Sequence, residues 1–520
     1  MLPKTLLADK IEINDQFGKA LNLMENTAKN VFVTGRAGTG KSTLLDYFRK
    51  TTKKKMAVLA PTGVAAVNIN GQTIHSFFRF GPDITPDKVR KHDDRADLYN
   101  ALEIIVIDEI SMVRADLLDC VDKALRLNCS GKKPFGGVQV VFIGDLYQLP
   151  PVVKSAERGI FNTHYKSQYF FDSKAFGNLE MEMIELEKIY RQKDHKFIGI
   201  LNAIRNNSVT PEQLREINKR LHPDFEPKAK DFYINLTTTN DMADAINVRE
   251  LSKLKSKPVS CTGKIKGSFD GKYLPTDIEL KVKVGAQVML LNNDPAGRWV
   301  NGTVGKIAGI GKRGKEVSIM VETQNRSFVD VSPYTWKMYS MVFNKETGSI
   351  DSEVLGSFTQ YPIKLAWAVT IHKGQGKTFD RVVIDIGKGT FVHGQMYVAL
   401  SRCTTLDGIV LKKPVQKKHI FMDWKIVNFL TKYQYRQSEK LLSLAEKISI
   451  IERAIKNKSR LEIVYLKSSD EKSRRTILPK SVGKMEYMSR QYTGVEGYCF
   501  SRKDNRVFRV DRILEIKEAG

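Results

Sequence analysis

One eight-residue segment constrains the fold of this chain more than any other. Residues 35–42, GRAGTGKS, fit the pattern G-x-x-x-x-G-K-[ST] and continue the apolar run NVFVTG at 30–35. A helical pattern, STLLDYFRK, follows at once. This order suits a loop that binds phosphate, because glycines let backbone N–H groups close on oxygens and a helix N-terminus favours negative charge. The segment therefore predicts an α/β domain that binds a nucleotide.

The residues of this loop have predictable roles. Lys41 reaches the β- and γ-phosphates, and Ser42 coordinates Mg²⁺. We therefore expect ATP with Mg²⁺ as the bound species. The residues predicted to contact the nucleotide in this segment are Gly35, Ala37, Gly38, Thr39, Gly40, Lys41, Ser42 and Thr43.

Further apolar runs predict the rest of the sheet. They are MAVLA at 56–60, EIIVIDE at 103–109 and VQVVFIGD at 138–145. Continuous apolar runs of this length are typical of central strands in a parallel sheet covered on both faces. Functional residues of such sheets lie at the carboxyl ends of the strands.

Polar residues stand at two of these strand ends. Asp108 is predicted to hold Mg²⁺ together with Ser42, and Glu109 to polarise the attacking water. Gln148 is placed to sense the γ-phosphate. The alternative for Gln148 is an ordinary strand-end turn stiffened by two prolines, and the alternative for the acidic pair is a surface strand end.

Charge and cysteine usage indicate which binding partners and which cellular compartment to expect. Lysine and arginine number 84 against 58 acidic residues, which gives a net charge of +26. A surplus of this size favours a polyanionic partner such as nucleic acid, although charge kept for solubility is the alternative. The five cysteines lack metal-ligand spacing, and the first ten residues, MLPKTLLADK, lack a long apolar core. We therefore expect a cytoplasmic protein with no membrane partner.

Several motifs, taken in order, resemble those of superfamily-one helicases of the PIF (petite integration frequency) type. They are APTGVAA (60–66), GQTIHSFF (71–78), IDEISMV (107–113), GDLYQLPPV (144–152), YRQ (190–192), TIHKGQGKTFD (370–380) and YVALSRC (397–403), and KKPFGGVQ (132–139) resembles the segment that separates this type from RecD-like relatives. Leu146 departs from the phenylalanine that is usual in the family.

The resemblance implies two RecA-like domains with ATP between them and movement from 5′ to 3′. It assigns adenine recognition to Gln16 and places Gly376 near the nucleotide. Arg191 and Arg402 would project across the cleft to the γ-phosphate, where an inserted arginine stabilises the transferring phosphoryl group. Without the resemblance, either arginine would be interpreted as a surface or salt-bridged residue.

The resemblance also implies a track for single-stranded DNA, which needs phosphate contacts on both domains and apolar groups against bases. The candidates are Pro61, Thr62, Thr73, His75 and Phe77 on the first domain, and Thr238, Asn240, Thr370, His372 and Lys373 on the second. The alternative for the histidines is an ordinary core or surface position, and for Phe77 it is the core.

The expected architecture has four parts. Residues 1–180 form the first RecA-like domain, with a duplex-splitting pin at about 77–98, and residues 181–425 form the second, with a small β-barrel inserted at about 296–358. A helical linker follows at 426–450.

Residues 451–520 resemble a β-rich WYL domain. The naming tripeptide is absent, since 492–499 has YTGVEGYC. Nucleic acid or a nucleotide is a possible ligand, through Arg474, Arg475, Arg506 and Arg509. This module indicates a bacterial source.

The sequence thus predicts an ATP-dependent 5′-to-3′ DNA helicase that acts on single strands and on tailed or forked duplexes. We expect a monomer in the absence of DNA, associated with the bacterial nucleoid. Two alternatives remain open. One is a non-motor P-loop ATPase or switch that binds nucleic acid, and the other is an RNA helicase of the same superfamily.

Overall fold

The computed structural model describes residues 12–519, except for residues 130, 154–156, 178, 193, 229, 270, 272–273, 314–315, 388, 391 and 488. The amino-terminal stretch MLPKTLLADK lies outside the described residues. The chain divides into two compact units, one made of the residues up to Leu201 with Pro211–Ile420, the other of Asn202–Thr210 and the residues from Phe421 onward. Within the described ranges, no helix has the length and apolar character needed to cross a membrane.

The first domain alternates helices and strands. Its helices are α1 (Asp15–Asn26), α2 (Lys41–Thr51), α3 (Gly63–Asn68), α4 (Ile74–Phe78), α5 (Ala96–Ala101), α6 (Ala115–Asn128), α7 (Arg158–His164) and α8 (Lys174–Gly177). Its strands are β1 (Asn30–Gly35), β2 (Met56–Ala60), β3 (Gln72–Thr73), β4 (Ile104–Ile107), β5 (Gln139–Ile143) and β6 (Met181–Leu186). The strands form one parallel sheet in the order β3-β2-β4-β5-β1-β6.

The centre of this sheet explains the apolar runs. Strands β1, β4 and β5 are adjacent and almost wholly buried, and α2 packs Leu44 and Phe48 into the same core. Because all strands are parallel, their carboxyl ends share one edge of the sheet, and the phosphate-binding loop, Asp108 and Gln148 all follow strands at that edge. The predicted boundary after residue 180 is wrong in one respect, since β6 pairs with β1 and completes the first sheet.

The second domain contains helices α9 (His195–Arg205), α10 (Pro211–Asn218), α11 (Asn240–Lys253) and α12 (Gln395–Ser401). Its strands are β7 (Ile234–Thr237), β8 (Val259–Thr262), β9 (Lys264–Gly267), β10 (Glu279–Val282), β11 (Gln287–Leu290), β12 (Val304–Arg313), β13 (Glu316–Thr323), β14 (Phe328–Val331), β15 (Tyr334–Asn344), β16 (Ser349–Gln360), β17 (Ile363–Leu365), β18 (Ala368–Thr370), β19 (Val382–Asp385) and β20 (Ile409–Leu411). Four of them form a second parallel sheet, in the order β18-β7-β19-β20.

An antiparallel β-module is inserted between β7 and β18. It has a five-stranded sheet (β14-β13-β12-β11-β17), a three-stranded sheet (β15-β16-β9) and the pair β10-β8. The module runs from Val259 to Leu365, so the predicted range of 296–358 is too short at both ends. The early strands were missed for a physical reason: β8 and β9 are short and mostly exposed, and they carry little apolar pattern.

The segment predicted as a pin at 77–98 contains the end of α4, two three-residue 3₁₀ turns and the start of α5. Phe77 is fully buried and packs its ring against Phe78 and Tyr99. Arg95 donates to the Phe77 carbonyl at 2.7 Å and to the Met341 carbonyl of β15 at 2.6 Å. Phe77 therefore belongs to the core, and in this conformation its ring is not accessible to a DNA base.

The second unit ends in a small β-rich module. It contains helices α13 (Trp424–Leu441) and α14 (Leu444–Asn457) and strands β21 (Leu461–Leu466), β22 (Lys472–Tyr487), β23 (Arg490–Cys499), β24 (Asp504–Arg509) and β25 (Ile513–Glu518). The strands form an antiparallel sheet in the order β24-β23-β22-β21-β25. The predicted linker at 426–450 is instead part of this helix pair: the buried ammonium of Lys447 on α14 donates to Ser438 of α13 and to the Ile513 carbonyl, both at 2.7 Å.

Candidate functional site

The phosphate-binding loop is built by the turn from β1 into α2. Gly40 precedes α2 with a φ of +91° and, as a glycine, supplies no side chain to cap the helix. An uncapped helix N-terminus of this kind suits the binding of an anion. The Lys41 ammonium donates to the carbonyls of Gly35 at 2.7 Å and Arg36 at 3.1 Å. The cation is thereby held at the loop that is to receive phosphate.

The YRQ motif packs directly on this loop. The Tyr190 N–H donates to the Gly38 carbonyl at 2.9 Å, and a Cβ added at Gly38 would lie 2.5 Å from the Cβ of Arg191. Gly38 also has a φ of +82°. Glycine is therefore required here both by backbone conformation and by the approach of Arg191.

The acidic pair follows β4. The Asp108 N–H donates to the Leu59 carbonyl at 2.9 Å, and Glu109 accepts a hydrogen bond of 3.1 Å from Gln375 of the second domain. Burial, together with the charge of Asp108, raises the pKa of Glu109 to about 7, while Lys41 opposes the shift. Burial also raises the pKa of Asp108. A carboxyl that titrates near neutral pH suits a group that orients and deprotonates water.

Gln148 lies where the two domains meet. Its side-chain amide donates to Asp145 at 3.1 Å, and it is buried to 6% exposure. A Cβ added at Gly394, just before α12, would lie 2.3 Å from the Gln148 carbonyl. The start of α12 therefore rests on the loop that carries Gln148.

Two arginines close the cleft. Arg402, at the end of α12, is 1% exposed and donates to the Lys377 carbonyl at 3.2 Å. Arg191 donates to the carbonyls of Ser401 and Gly376, both at 3.4 Å. Burial, followed by the neighbouring charge of Arg191, lowers the pKa of Arg402 to about 9. Two guanidinium groups held together in a buried site favour the binding of an anion between them.

These groups surround a single cavity of about 560 Å³. Its lining includes Ala37, Gly38, Thr39, Gly40, Lys41, Ser42, Thr43, Glu109, Gln148, Arg191, Gly376 and Arg402, all of them predicted from the sequence. Gly35, Asp108 and Gln16 were also predicted at the nucleotide, but they are not among the described lining residues. The amide oxygen of Gln16 instead accepts from the Glu187 N–H at 3.0 Å.

Three further residues of the site were not assigned a role from the sequence. The Tyr397 hydroxyl accepts from the Ala37 N–H of the phosphate-binding loop at 3.0 Å. Gln192 donates to the carbonyls on both sides of Arg402, at 3.2 and 3.1 Å, and Gln375 contacts Glu109. All three lie inside the helicase-like motifs, and Gln192 and Gln375 are directly next to assigned residues, so membership of a motif was the available signal.

A second cavity, the channel, lies between the two domains and has a volume of about 800 Å³. Helix α3 of the first domain lines one side of it, and α11, the β-module and the segment after β18 line the rest. Three predicted DNA contacts, Asn240, Thr370 and Lys373, lie together on its wall. The charged residues of its lining are Lys364, Lys373 and Lys377 and the acidic Asp244, Asp277 and Glu279. Lysines and amide or hydroxyl groups in a groove are the kind of contacts that bind the backbone of a single strand.

The other predicted DNA contacts lie outside the described lining of the channel. They are Pro61, Thr62, Thr73, His75, Phe77, Thr238 and His372. Thr62 and Thr73 use their hydroxyls to cap α3 and α4, accepting from Ala65 at 3.3 Å and Ser76 at 3.1 Å.

The fold and the site together define a class of protein. A phosphate-binding loop, an acidic pair at the next strand end and arginines from a second parallel-sheet domain form the ATP cleft of a two-domain motor ATPase. Residues 11–215 match the family described as PIF1-like helicase, and residues 446–518 match the WYL domain.

Curated relatives share most of this chain. The ATP-dependent DNA helicase Pif1 of Bdellovibrio bacteriovorus is 30% identical over 448 residues, which cover 84% of this chain and 95% of the relative. The enzyme of the same name from Campylobacter jejuni is 32% identical over 400 residues, with 72% and 87% coverage. The chain belongs to the PIF1-like helicase family.

Solved structures agree with this assignment. Bacteroides sp Pif1 in complex with ADP-AlF4 has a TM-score of 0.75 and 37% identity, covering 82% of this chain and 98% of that one. The Bacteroides helicase with ADP-AlF3 and single-stranded DNA has a TM-score of 0.60 and 36% identity, with the same coverage. The predicted family, the α/β fold class and the WYL module are confirmed.

The raised pKa of Glu109 leads to a testable pH dependence. Because the predicted role of Glu109 requires its carboxylate form and burial raises its pKa to about 7, we expect kcat/KM for ATP to rise with pH and to level off above neutrality. The measurement is an initial-rate profile between about pH 6 and 8 at saturating single-stranded DNA, since kcat/KM reports groups of the free enzyme. A flat profile across this range would show that Glu109 does not titrate there.

Proposed function

We propose that the protein is an ATP-dependent DNA helicase that moves 5′ to 3′ along single-stranded DNA and separates duplex or structured DNA. One observation carries the proposal: the same two domains supply the opposite walls of the nucleotide cavity and of the channel. A movement of the two domains that changes the nucleotide cavity therefore changes the channel as well. The names of the relatives from Bdellovibrio and Campylobacter support DNA as the substrate.

ATP is the substrate of the first cavity. The first-turn N–H groups of α2 and the Lys41 ammonium bind its phosphates, and Glu109 orients the attacking water. Arg402 and Arg191 stabilise the negative charge that develops on the γ-phosphoryl group. Gln148, between the Asp145 carboxylate and the start of α12, connects the presence of that group to the second domain.

Mg²⁺ is the metal that the family implies, and the donor set here fits it. The Ser42 hydroxyl, at the start of α2, and the Asp108 carboxylate, at the end of β4, are hard oxygen ligands of the kind Mg²⁺ prefers. These two residues would hold the ion, which when bound neutralises charge on the phosphate oxygens. Burial raises the pKa of Asp108, and a nearby cation would favour its charged form.

The channel is the proposed track for single-stranded DNA. Thr370 and Lys373 line it from the second domain, and α3 lines it from the first, so a bound strand touches both domains. Opening and closing of the ATP cleft then shifts one set of contacts relative to the other. A non-motor switch is disfavoured, because such a protein requires neither paired arginines at the nucleotide nor a channel between two domains.

DNA binding should depend steeply on salt. The logarithm of the affinity for single-stranded DNA should fall linearly with the logarithm of salt concentration, with a slope of roughly −0.7 for each phosphate contact. Fluorescence anisotropy with an oligothymidine measures this slope, and ATPase stimulation by DNA and by RNA of equal length is compared alongside. A flat salt plot would contradict the channel as an electrostatic track, and stimulation by RNA alone would favour the RNA helicase.

The location, oligomeric state, DNA substrates and WYL ligand of the protein are also part of the proposal. We propose that the protein acts in the bacterial cytoplasm at the nucleoid, which the bacterial relatives and the free cysteines support. We also propose that it is monomeric in the absence of DNA. The substrates include tailed and forked duplexes. The WYL module is proposed to bind nucleic acid or a nucleotide, and the candidate contacts on β22 and β24 are Arg474, Arg475, Arg506 and Arg509.

A further inference from the structure

Three consecutive residues connect the two cavities. Gly376 and Thr378 line the nucleotide cavity, whereas Lys377, between them, lines the channel. The backbone of this short segment thus faces one cavity while one of its side chains reaches the other. Even a small displacement of this segment therefore changes the lining of both the nucleotide cavity and the channel.

The arginines of the ATP site hold this backbone. Arg191 donates to the Gly376 carbonyl at 3.4 Å, and Arg402 donates to the Lys377 carbonyl at 3.2 Å. A guanidinium that turns toward a phosphoryl group must weaken or release these hydrogen bonds. The segment at 376–378 is therefore positioned to respond to the state of the nucleotide.

The side chain of Lys377 is held across the channel. Its ammonium donates to Asn301 of the β-module at 2.8 Å, and Asn301 in turn donates to Asn68 on α3 of the first domain at 3.3 Å. Gly302, with a φ of +101°, places its backbone close to the stem of the lysine. This chain of contacts links the second domain, the inserted module and the first domain at one point of the channel.

Lys377 has lysine neighbours in a channel lining that also carries Asp244, Asp277 and Glu279. Lys364 and Lys373 line the same cavity. Burial, followed by the charge of Lys364, lowers the pKa of Lys377 to about 7, and burial with the charge of Lys373 lowers the pKa of Lys364 to about 8. Asp277 and Asp244 act on Lys364 in the opposite direction, but burial and Lys373 outweigh them. A phosphate among three neighbouring ammonium groups would relieve their repulsion.

We propose that Lys377 is the positioning residue through which the ATP site controls the grip on DNA. Its ammonium binds a backbone phosphate of the single strand in the channel, and its carbonyl is held by Arg402. When Arg402 turns from this carbonyl toward the γ-phosphoryl group, the segment shifts and the phosphate contact changes with it. The inference rests on the proposed DNA helicase function and adds a residue to it.

The test compares DNA affinity in two nucleotide states. Anisotropy gives the Kd of a labelled oligothymidine without nucleotide and with ADP, aluminium fluoride and Mg²⁺, for the wild type and for Lys377→Met, Lys377→Arg and Lys219→Met. Lys219→Met is the matched control, because this exposed lysine pairs with Glu216 and lines neither cavity. Thermal melting of each variant monitors the fold.

Lys377→Met should weaken DNA binding by roughly tenfold in the nucleotide state that binds DNA more tightly and by much less in the other. The ratio of the two Kd values should therefore move toward one, because linkage between the two ligands is reciprocal. The salt slope should become shallower by about 0.7. Lys377→Arg should restore most of the affinity, and Lys219→Met should match the wild type.

Two results would overturn the inference. Equal weakening in both nucleotide states would make Lys377 a phosphate contact with no link to the ATP site, and unchanged affinity in both states would remove it from the DNA track. Failure of the wild type itself to bind the oligonucleotide is a different result, since it would overturn the helicase proposal as a whole.

Discussion

Arg402→Ala is expected to lower the kcat of DNA-stimulated ATP hydrolysis by about 10³–10⁵-fold. Arg402 reaches the nucleotide cavity from the second domain, and it is almost wholly buried at the end of α12. The guanidinium is pre-positioned by the carbonyls of Val398 at 2.9 Å and Lys377 at 3.2 Å. A buried guanidinium beside the transferring phosphoryl group stabilises its negative charge strongly, which is why its removal costs so much.

Steady-state ATPase assays at saturating DNA measure this effect. Arg402→Lys should recover little of the rate, because an ammonium cannot reproduce the planar fork of donors. Arg381→Ala is the control: it removes an arginine of the same domain that is half exposed and contacts Asp231 at 3.4 Å. A loss of less than tenfold in Arg402→Ala, with the fold intact, would show that Arg402 is not the arginine that acts on the phosphoryl group.

Lys41→Ala is expected to reduce ATP turnover by at least about 10²–10³-fold, while nucleotide-free binding of single-stranded DNA persists. The ammonium is held at the phosphate-binding loop by two carbonyls and lines the nucleotide cavity, whereas the channel lies elsewhere. ATPase rate and DNA anisotropy are measured on the same preparation, so that loss of catalysis is separated from loss of fold.

Lys50→Ala provides the matched control for Lys41→Ala. It lies on the same helix, is exposed, and pairs with Asp46 at 2.6 Å on the surface. Its ATPase rate should equal that of the wild type, since exposed ion pairs contribute little. Retention of DNA-stimulated turnover by Lys41→Ala would contradict the assignment of the phosphate-binding loop.

The nucleotide site could be predicted well from the sequence because its chemistry is local. The spacing from Gly35 to Ser42 is set by the geometry of one loop, and Asp108 and Gln148 follow strands whose apolar runs are unmistakable. The carboxyl ends of parallel strands then meet at one edge of the sheet, which brings these residues together without further information.

The remaining features depend on contacts between distant parts of the chain. The hydrogen bond from Ala37 to Tyr397 spans 360 residues, and no local pattern reports it. Strand β6 is only partly buried, so its pattern does not tell which sheet it joins. The sequence does not distinguish Lys377 from the other lysines of the chain. The structure places its carbonyl against Arg402 and its side chain in the lining of the channel.

The residues that contact DNA were also difficult to predict from the sequence alone. Threonines and histidines in the motifs were assigned to phosphate contacts by resemblance, but Thr62 and Thr73 cap helices through their hydroxyls. Burial lowers the pKa of His75 and of His372, which favours neutral imidazoles. These four residues remain predicted DNA contacts.

Unwinding polarity tests the central proposal most directly. Two duplexes of equal sequence, one with a 5′ single-stranded tail and one with a 3′ tail, are mixed with the protein, ATP and Mg²⁺, and strand separation is followed over time. A 5′-to-3′ helicase is expected to unwind the 5′-tailed duplex and to leave the 3′-tailed duplex intact. Unwinding of the 3′-tailed duplex alone, or ATP hydrolysis with no strand separation on either substrate, would contradict it.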